Sequence, residues 1–427
     1  MRRWIVPGIP FAVSLSLALA TVGNHPFWQD SGVYLTAVKD LGVLYAPGFV
    51  VYEVLCWLWT HLVFFLDFTL AVHLFSSLCS AAASAVMAVA TRDLLRTRGK
   101  VFTLTPADPG PLADGCGILV GVLLAGGFTF WTAAIYAKVY AFYYLVLSLL
   151  LWMMIRADER RRPRDFTFVA ALIGLAGHAH PSSALMGLAL ILFVAAHADV
   201  LGWKGILGRL GVSAVCTAGP TLILVPWLVA RNPWLVFADP KGPADWLRYL
   251  TGLRFVEMRG AFGLDSSRVA SFSQFFWEEF LGIGTLLTVV GLAAMAGRNR
   301  RLLLGMAAWV VPYGLVTILF KTEVQHDFWF VAARLPLYFA AGAGAWVIAS
   351  RAGRWANPVL AGTAVVASTW AVAVNFSDVS QRRYDLAELY ARTVLETADP
   401  EERLTLLVQL CEALAGDVER LLSSGQP

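Results

Sequence analysis

The sequence sets one acid among aromatic rings shortly after its first apolar block, in the run Asn24-His25-Pro26-Phe27-Trp28-Gln29-Asp30-Ser31. A carboxylate held beside rings at a membrane surface can take a proton from an incoming hydroxyl, the work of a general base. Asp30 can equally cap a helix beginning near Ser31, because Asp is a favoured N-cap. Taken alone, the spacing leaves both roles open. Two further turns carry groups suited to a departing phosphate: Lys138-Val139-Tyr140, and His178-Ala179-His180-Pro181. A cation or donor there would stabilise the charge a phosphate gains as the bond to its sugar breaks. The structural alternatives are a snorkelling lysine at a helix end and histidines that pack or cap at the interface. The two histidines lack a Cys or third ligand at metal spacing, so no cofactor is called for and a divalent metal stays open.

A third group is Lys321, Glu323, His326 and Asp327, followed by an apolar block that contains Arg334 and Pro336. Arg334 then lies about two turns inside the block. An arginine at that depth is costly and faces either a partner or a polar cavity. A lipid-linked phosphate is one such partner, and a structural pair with Asp327 or Glu323 is the other. Glu323, His326 and Asp327 form a secondary candidate site, for an acceptor.

The elements that must position these residues follow from composition. Of 427 residues, 58% are hydrophobic and 15% charged, with a mean hydropathy of +0.66. No water-soluble fold buries that share, and the apolar residues come in blocks near the roughly 20 that a helix needs to cross a bilayer. The expected class is an all-α polytopic membrane protein. Arg2, Arg3 and the apolar run from Trp4 to Gly23 resemble a signal peptide, but the run is long and other spans follow, so it reads as a retained first helix. The blocks lie at 4 to 22, 49 to 66, 69 to 91, 116 to 135, 138 to 155, 166 to 178, 181 to 197, 209 to 229, 280 to 297, 302 to 320, 328 to 350 and 357 to 375.

If all twelve crossed, Arg92, Arg96, Arg98 and Lys100 would share a side with the loop after the first helix, against the positive-inside rule. Block 49 to 66 is therefore expected to lie on the outer face as a juxtamembrane helix, leaving about 11 spans. Arg2/Arg3, Arg92 to Lys100, Arg156 to Arg164, Lys204/Arg209, Arg298 to Arg301 and Arg351/Arg354 then all fall on the cytoplasmic side. The N terminus is cytoplasmic and the C terminus external. Every residue singled out above falls on the outer face. The net charge of +4 follows from this topology and indicates no nucleic-acid partner. Cys56, Cys79, Cys116 and Cys216 lie in or beside apolar blocks and Cys411 stands alone, with neither disulfide nor metal spacing.

Residues 1–376 are expected to form the membrane domain, with a first outer loop at 23–68 and a long outer loop at 230–279. Trp234, Trp246, Tyr249, Phe255, Phe262, Phe275, Phe276 and Trp277 suit the long loop to short helices among lipid headgroups. Residues 377–427 read as an external tail of amphipathic helices around Pro400.

Several motifs together resemble a known family. They are Phe27-Trp28-Gln29-Asp30-Ser31-Gly32, Leu41-Gly42, Pro47-Gly48, Phe130-Trp131 with Val139-Tyr140, Gly174 to His180, Asp239-Pro240, and Asn375 with Tyr384 to Ala391. In this order they are similar to the bacterial membrane proteins of domain of unknown function 2723, which are related to protein O-mannosyltransferases in the GT-C class of lipid-phosphate-sugar-dependent glycosyltransferases. The resemblance implies a GT-C-like bundle in the bacterial inner membrane that takes a sugar from a polyprenyl-phosphate donor. It implies a protein or glycan hydroxyl as acceptor, with Asp30 as catalytic base. Lys138, Tyr140, His178, His180 and Arg334 are then expected to hold the donor phosphate or substrate. The chain departs from the family at Val33 and Lys138, each a glutamate there, at Tyr45-Ala46, a histidine and proline there, and at Ala179, an asparagine there. An inactive relative serving as a partner subunit and a transporter of lipid-linked sugars are the two alternatives.

Overall fold

The computed structural model describes residues 2–25, 31–44, 49–102, 109–231, 240–251, 261–262, 276–298, 300–321 and 331–380. Among them the chain is almost wholly helical. Helix α1 (Arg2–Thr21) is followed by the short helices α2 (Ser31–Asp40) and α3 (Val50–Leu62), then by α4 (Phe68–Phe102). Next come α5 (Pro109–Gly126), α6 (Phe128–Ile135), α7 (Tyr140–Arg160) and α8 (Pro163–Ala176). A 3₁₀ turn (Pro181–Leu185) leads into α9 (Met186–Ala195), α10 (Ala198–Arg231) and α11 (Pro243–Thr251). The remaining helices are α12 (Ile283–Arg298), α13 (Arg300–Leu319), α14 (Val331–Ala349) and α15 (Ala356–Val379). Two-residue strands β1 (Ala261–Phe262) and β2 (Phe320–Lys321) pair antiparallel, tying the long loop to the α13–α14 connection.

Among the described residues seven helices are long and apolar enough to cross a membrane, and the bent pair α5–α6, which turns by 67°, makes an eighth. Three further blocks expected to span form the shorter helices α8, α9 and α12, of 14, 10 and 16 residues. The expected count of 11 is thus reached only by including helices shorter than a full crossing. Block 49 to 66, set aside on charge, forms α3, 13 residues long and of the same length class as those three helices. The block 209 to 229 is only the end of α10, which starts at Ala198 and breaks at Gly202 (φ 59°). The tail and most of the long loop lie outside the described residues.

Helix α4 is the centre of the bundle, packed against α1, α5 and α7, while α14 lies against α12. The α12–α14 crossing depends on Gly291 and Gly344, where an added Cβ would overlap the opposing backbone. Such close approach is how membrane helices gain packing without a hydrophobic drive between them. One end of the bundle collects the basic loops: Arg98 meets Asp158 and Arg96 meets Asp114 at 2.7 Å each, Arg161 pairs with Asp199, and His197 Nε2 lies 3.1 Å from Asp158. Those loops were assigned to one side by charge, and they meet.

Candidate active site at the opposite end of the bundle

Two buried charges lie close together at the other end. Arg334 stands in the first turn of α14, with its side chain 1% exposed. Its Nη1 is 3.4 Å from Glu279 Oε1 and donates to the Tyr144 hydroxyl at 3.3 Å. Glu279, fully buried, comes from helical residues 276–279 just before α12. Its Oε2 accepts the Thr129 backbone amide at 2.8 Å, in the first turn of α6, where unsatisfied amides favour an anion. The Tyr338 hydroxyl, one turn beyond Arg334, donates to the Glu279 carbonyl at 3.2 Å. Gly127 makes room for this arrangement: a Cβ there would stand 2.8 Å from Glu279 Oε1 and 2.9 Å from the Tyr338 hydroxyl. Residues from four separate segments, α14, 276–279, α6 and α7, thus surround one buried guanidinium. Desolvation of both charges makes such a pair a poor source of stability, so its presence points to use.

The start of α7 brings up the next group. Lys138, immediately before that helix, is 1% exposed, with Nζ 6.0 Å from the Tyr136 ring centre, so it is buried rather than snorkelling outward. Two residues on, Tyr140 faces the His180 ring at 5.7 Å, and Tyr143 stacks on the same ring at 5.6 Å. Tyr143 and Tyr313 share a hydroxyl contact of 3.2 Å. Since Tyr143 and Tyr144 are adjacent, α7 links the His180 group to Arg334. Four of the five described candidates, Lys138, Tyr140, His180 and Arg334, therefore gather around one helix end.

His180 Nδ1 accepts the Ser182 amide at 3.2 Å and lies 2.7 Å from the Ser182 hydroxyl, and burial lowers its pKa to about 3. The ring packs against Tyr140 and Tyr143 and is held by Ser182. His178 lies apart from the group. Its Nε2 donates to the Cys216 carbonyl at 2.9 Å, and the Thr221 hydroxyl lies 3.3 Å from Nδ1, so both nitrogens are committed to α10. Asp30 lies outside the described residues, directly before the first residue of α2. Glu323, His326 and Asp327 are outside them as well, and the described partner of Arg334 is Glu279. No group of three or more metal-ligating side chains converges among the described residues.

Glu279 and Glu53 were missed by the sequence reasoning, and both carried a signal. Glu279 directly precedes the apolar block at 280, and Glu53 lies inside the block at 49 to 66, where an ionisable side chain is expensive. Glu53 is fully buried beside the apolar cluster that joins α3 to the end of α10 and to α11. Burial holds its carboxyl well above the ordinary carboxylate range, opposed by the Leu44 backbone amide.

Comparison with known proteins agrees with this architecture. Residues 30–200, less than half of the chain, match the family described as Protein O-mannosyl-transferase TMEM260 N-terminal domain. No curated protein matches the sequence. Among solved structures, ArnT from Cupriavidus metallidurans bound to undecaprenyl phosphate superposes with a TM-score of 0.61 at 14% identity, covering 93% of this chain and 81% of that one. Apo ArnT from the same organism gives 0.54 at 17% identity, covering 80% and 59%. The chain is a multi-pass membrane protein with a GT-C-like fold.

Proposed function

We propose that this chain is a glycosyltransferase that moves a sugar from a polyprenyl-phosphate donor to a hydroxyl of a protein or glycan acceptor on the outer face of the bacterial inner membrane. The observation that carries this reading is the buried Arg334, held by Glu279 and by Tyr144 of α7, the helix that the buried Lys138 precedes, in the fold of a protein whose crystal structure holds undecaprenyl phosphate. Arg334 and Lys138 supply positive charge to the donor phosphate, and Tyr140 and His180 pack beside it. Asp30 takes the proton from the acceptor hydroxyl as its oxygen bonds to the anomeric carbon. The bond from that carbon to the phosphate oxygen breaks, and polyprenyl phosphate leaves with the electron pair. The family matched over residues 30–200 supports mannose as the sugar and protein as the acceptor. The basic loops then face the cytoplasm with the N terminus, and the tail from residue 377 lies outside.

The test is transfer of labelled mannose from polyprenyl-phosphate mannose to membrane-derived acceptors by the purified protein in nanodiscs. Product from wild type, reduced at least tenfold in Arg334→Gln, supports the reading. Donor binding without product would favour an inactive partner subunit, and donor crossing the bilayer unchanged would favour a transporter.

A further inference from the structure

A cavity of about 160 Å³ lies between α8, the 3₁₀ turn, α10 and α11. Its walls include His178, Ser183, Gly187, Ser213, Thr217 and Thr221. Ser213, Thr217 and Thr221 recur at every fourth residue, so α10 turns one hydroxyl face toward it. Hydroxyl rows in membrane helices often serve only to bond helices together, but three features go beyond that. Among the described residues no Lys, Arg, Asp or Glu lines the space, so the described walls do not select by charge.

The hydroxyl hydrogens are largely turned into the protein. Thr217 donates to the Ser213 carbonyl at 2.9 Å and Ser183 to the His180 carbonyl at 2.7 Å. His178 donates from Nε2, so its Nδ1 accepts from Thr221. The walls therefore present oxygen lone pairs, which suit a ligand rich in O–H donors and repel an anion made only of acceptors. Gly187 keeps the space open as well: a Cβ there meets nothing within 4 Å. A space of about 160 Å³ is on the scale of one small ring.

We infer that this cavity binds a single neutral sugar ring, at a site separate from the charged group around Arg334. Leu250 of α11 closes one side, so the long outer loop helps to form the site. Only its use as an acceptor subsite rests on the transfer reading; the binding does not.

Saturation-transfer NMR on the wild-type protein in nanodiscs, without any donor, tests the inference with methyl α-mannopyranoside, methyl β-glucopyranoside and inorganic phosphate as probes. At least one glycoside should bind saturably and phosphate should not compete. Gly187→Leu, which fills the space, should weaken binding at least tenfold with an undiminished Tm, and Ser213→Ala with Thr217→Val should weaken it several-fold. Absence of binding by both glycosides, competition by phosphate, or wild-type affinity in Gly187→Leu overturns it. Because no transfer is measured, a dead transferase that binds the glycoside would leave this inference standing.

Discussion

Arg334 and Glu279 face each other at 3.4 Å with both side chains shut away from solvent, one from the first turn of α14 and one from the segment leading into α12. Each charge is the condition for burying the other. Replacing one alone strands its partner, at a cost of about 3 to 5 kcal/mol. Arg334→Met and Glu279→Gln should each lower Tm sharply, and the double variant should regain most of the loss, because a neutral pair carries no desolvation penalty. Transfer should not return with it. Thermal unfolding of the three variants beside product formation checks this, and a double variant less stable than both singles contradicts it.

The Gly127 position tests the same geometry through the backbone. Alanine there would crowd Glu279 and Tyr338 at once. Overpacking of this kind costs about 1 to 3 kcal/mol. Gly127→Ala should lose stability in that range and reduce donor affinity, whereas Gly208→Ala, where a Cβ meets nothing within 4 Å, should do neither.

His180 gives a pH signature. Its folded pKa of about 3 lies below the ordinary 6.5, so the unfolded chain binds the proton first as pH falls. Its contribution is complete above pH 6.5 and is lost progressively between 6.5 and 3. His180→Gln should flatten the fall of Tm across that window and leave the pH profile of transfer between 7 and 9 unchanged in shape. A transfer profile whose limb near neutrality disappears in His180→Gln would mean that the ring titrates in the reaction.

Glu53 has the opposite sign. Its carboxyl is pushed above the ordinary 4.5, so the neutral form suits the fold and the stability it allows declines as pH rises through the folded pKa. Glu53→Gln keeps the shape and removes the charge. Its Tm should exceed that of wild type at pH 8, with the difference shrinking toward pH 4.5. An equal or lower Tm at pH 8 would show that the ionised carboxylate has a role in the fold.

These sites differ in how far the sequence disclosed them, for physical reasons. Block lengths near 20 residues and the clustering of Arg into loops follow from one requirement, the bilayer, and α1, α4, α7, α13, α14 and α15 appear close to where those blocks lie. The block set aside by the same charge rule forms the short helix α3. Arg334 stood out because an arginine inside an apolar run is costly. Its partner did not, since Glu279 is 55 residues away and only the α12–α14 crossing at Gly291 and Gly344 brings them together. His178 and His180 look alike in sequence. Their difference comes from the turn after α8, which points one ring at Cys216 and Thr221 on α10 and sets the other against Tyr140 and Tyr143.

The central claim, acceptor activation by Asp30 in a polyprenyl-phosphate-dependent transfer, is tested most directly by Asp30→Asn. Asparagine ranks with aspartate as an N-cap, so α2 keeps its start, but it cannot accept the proton. The measurement is the rate of a single turnover with polyprenyl-phosphate mannose and acceptor, made beside donor affinity and Tm on the same nanodisc preparation. The rate should fall on the order of a hundredfold or more, with donor affinity and Tm unchanged. An undiminished rate in an Asp30→Asn protein of lowered Tm would make Asp30 a cap and place the base elsewhere.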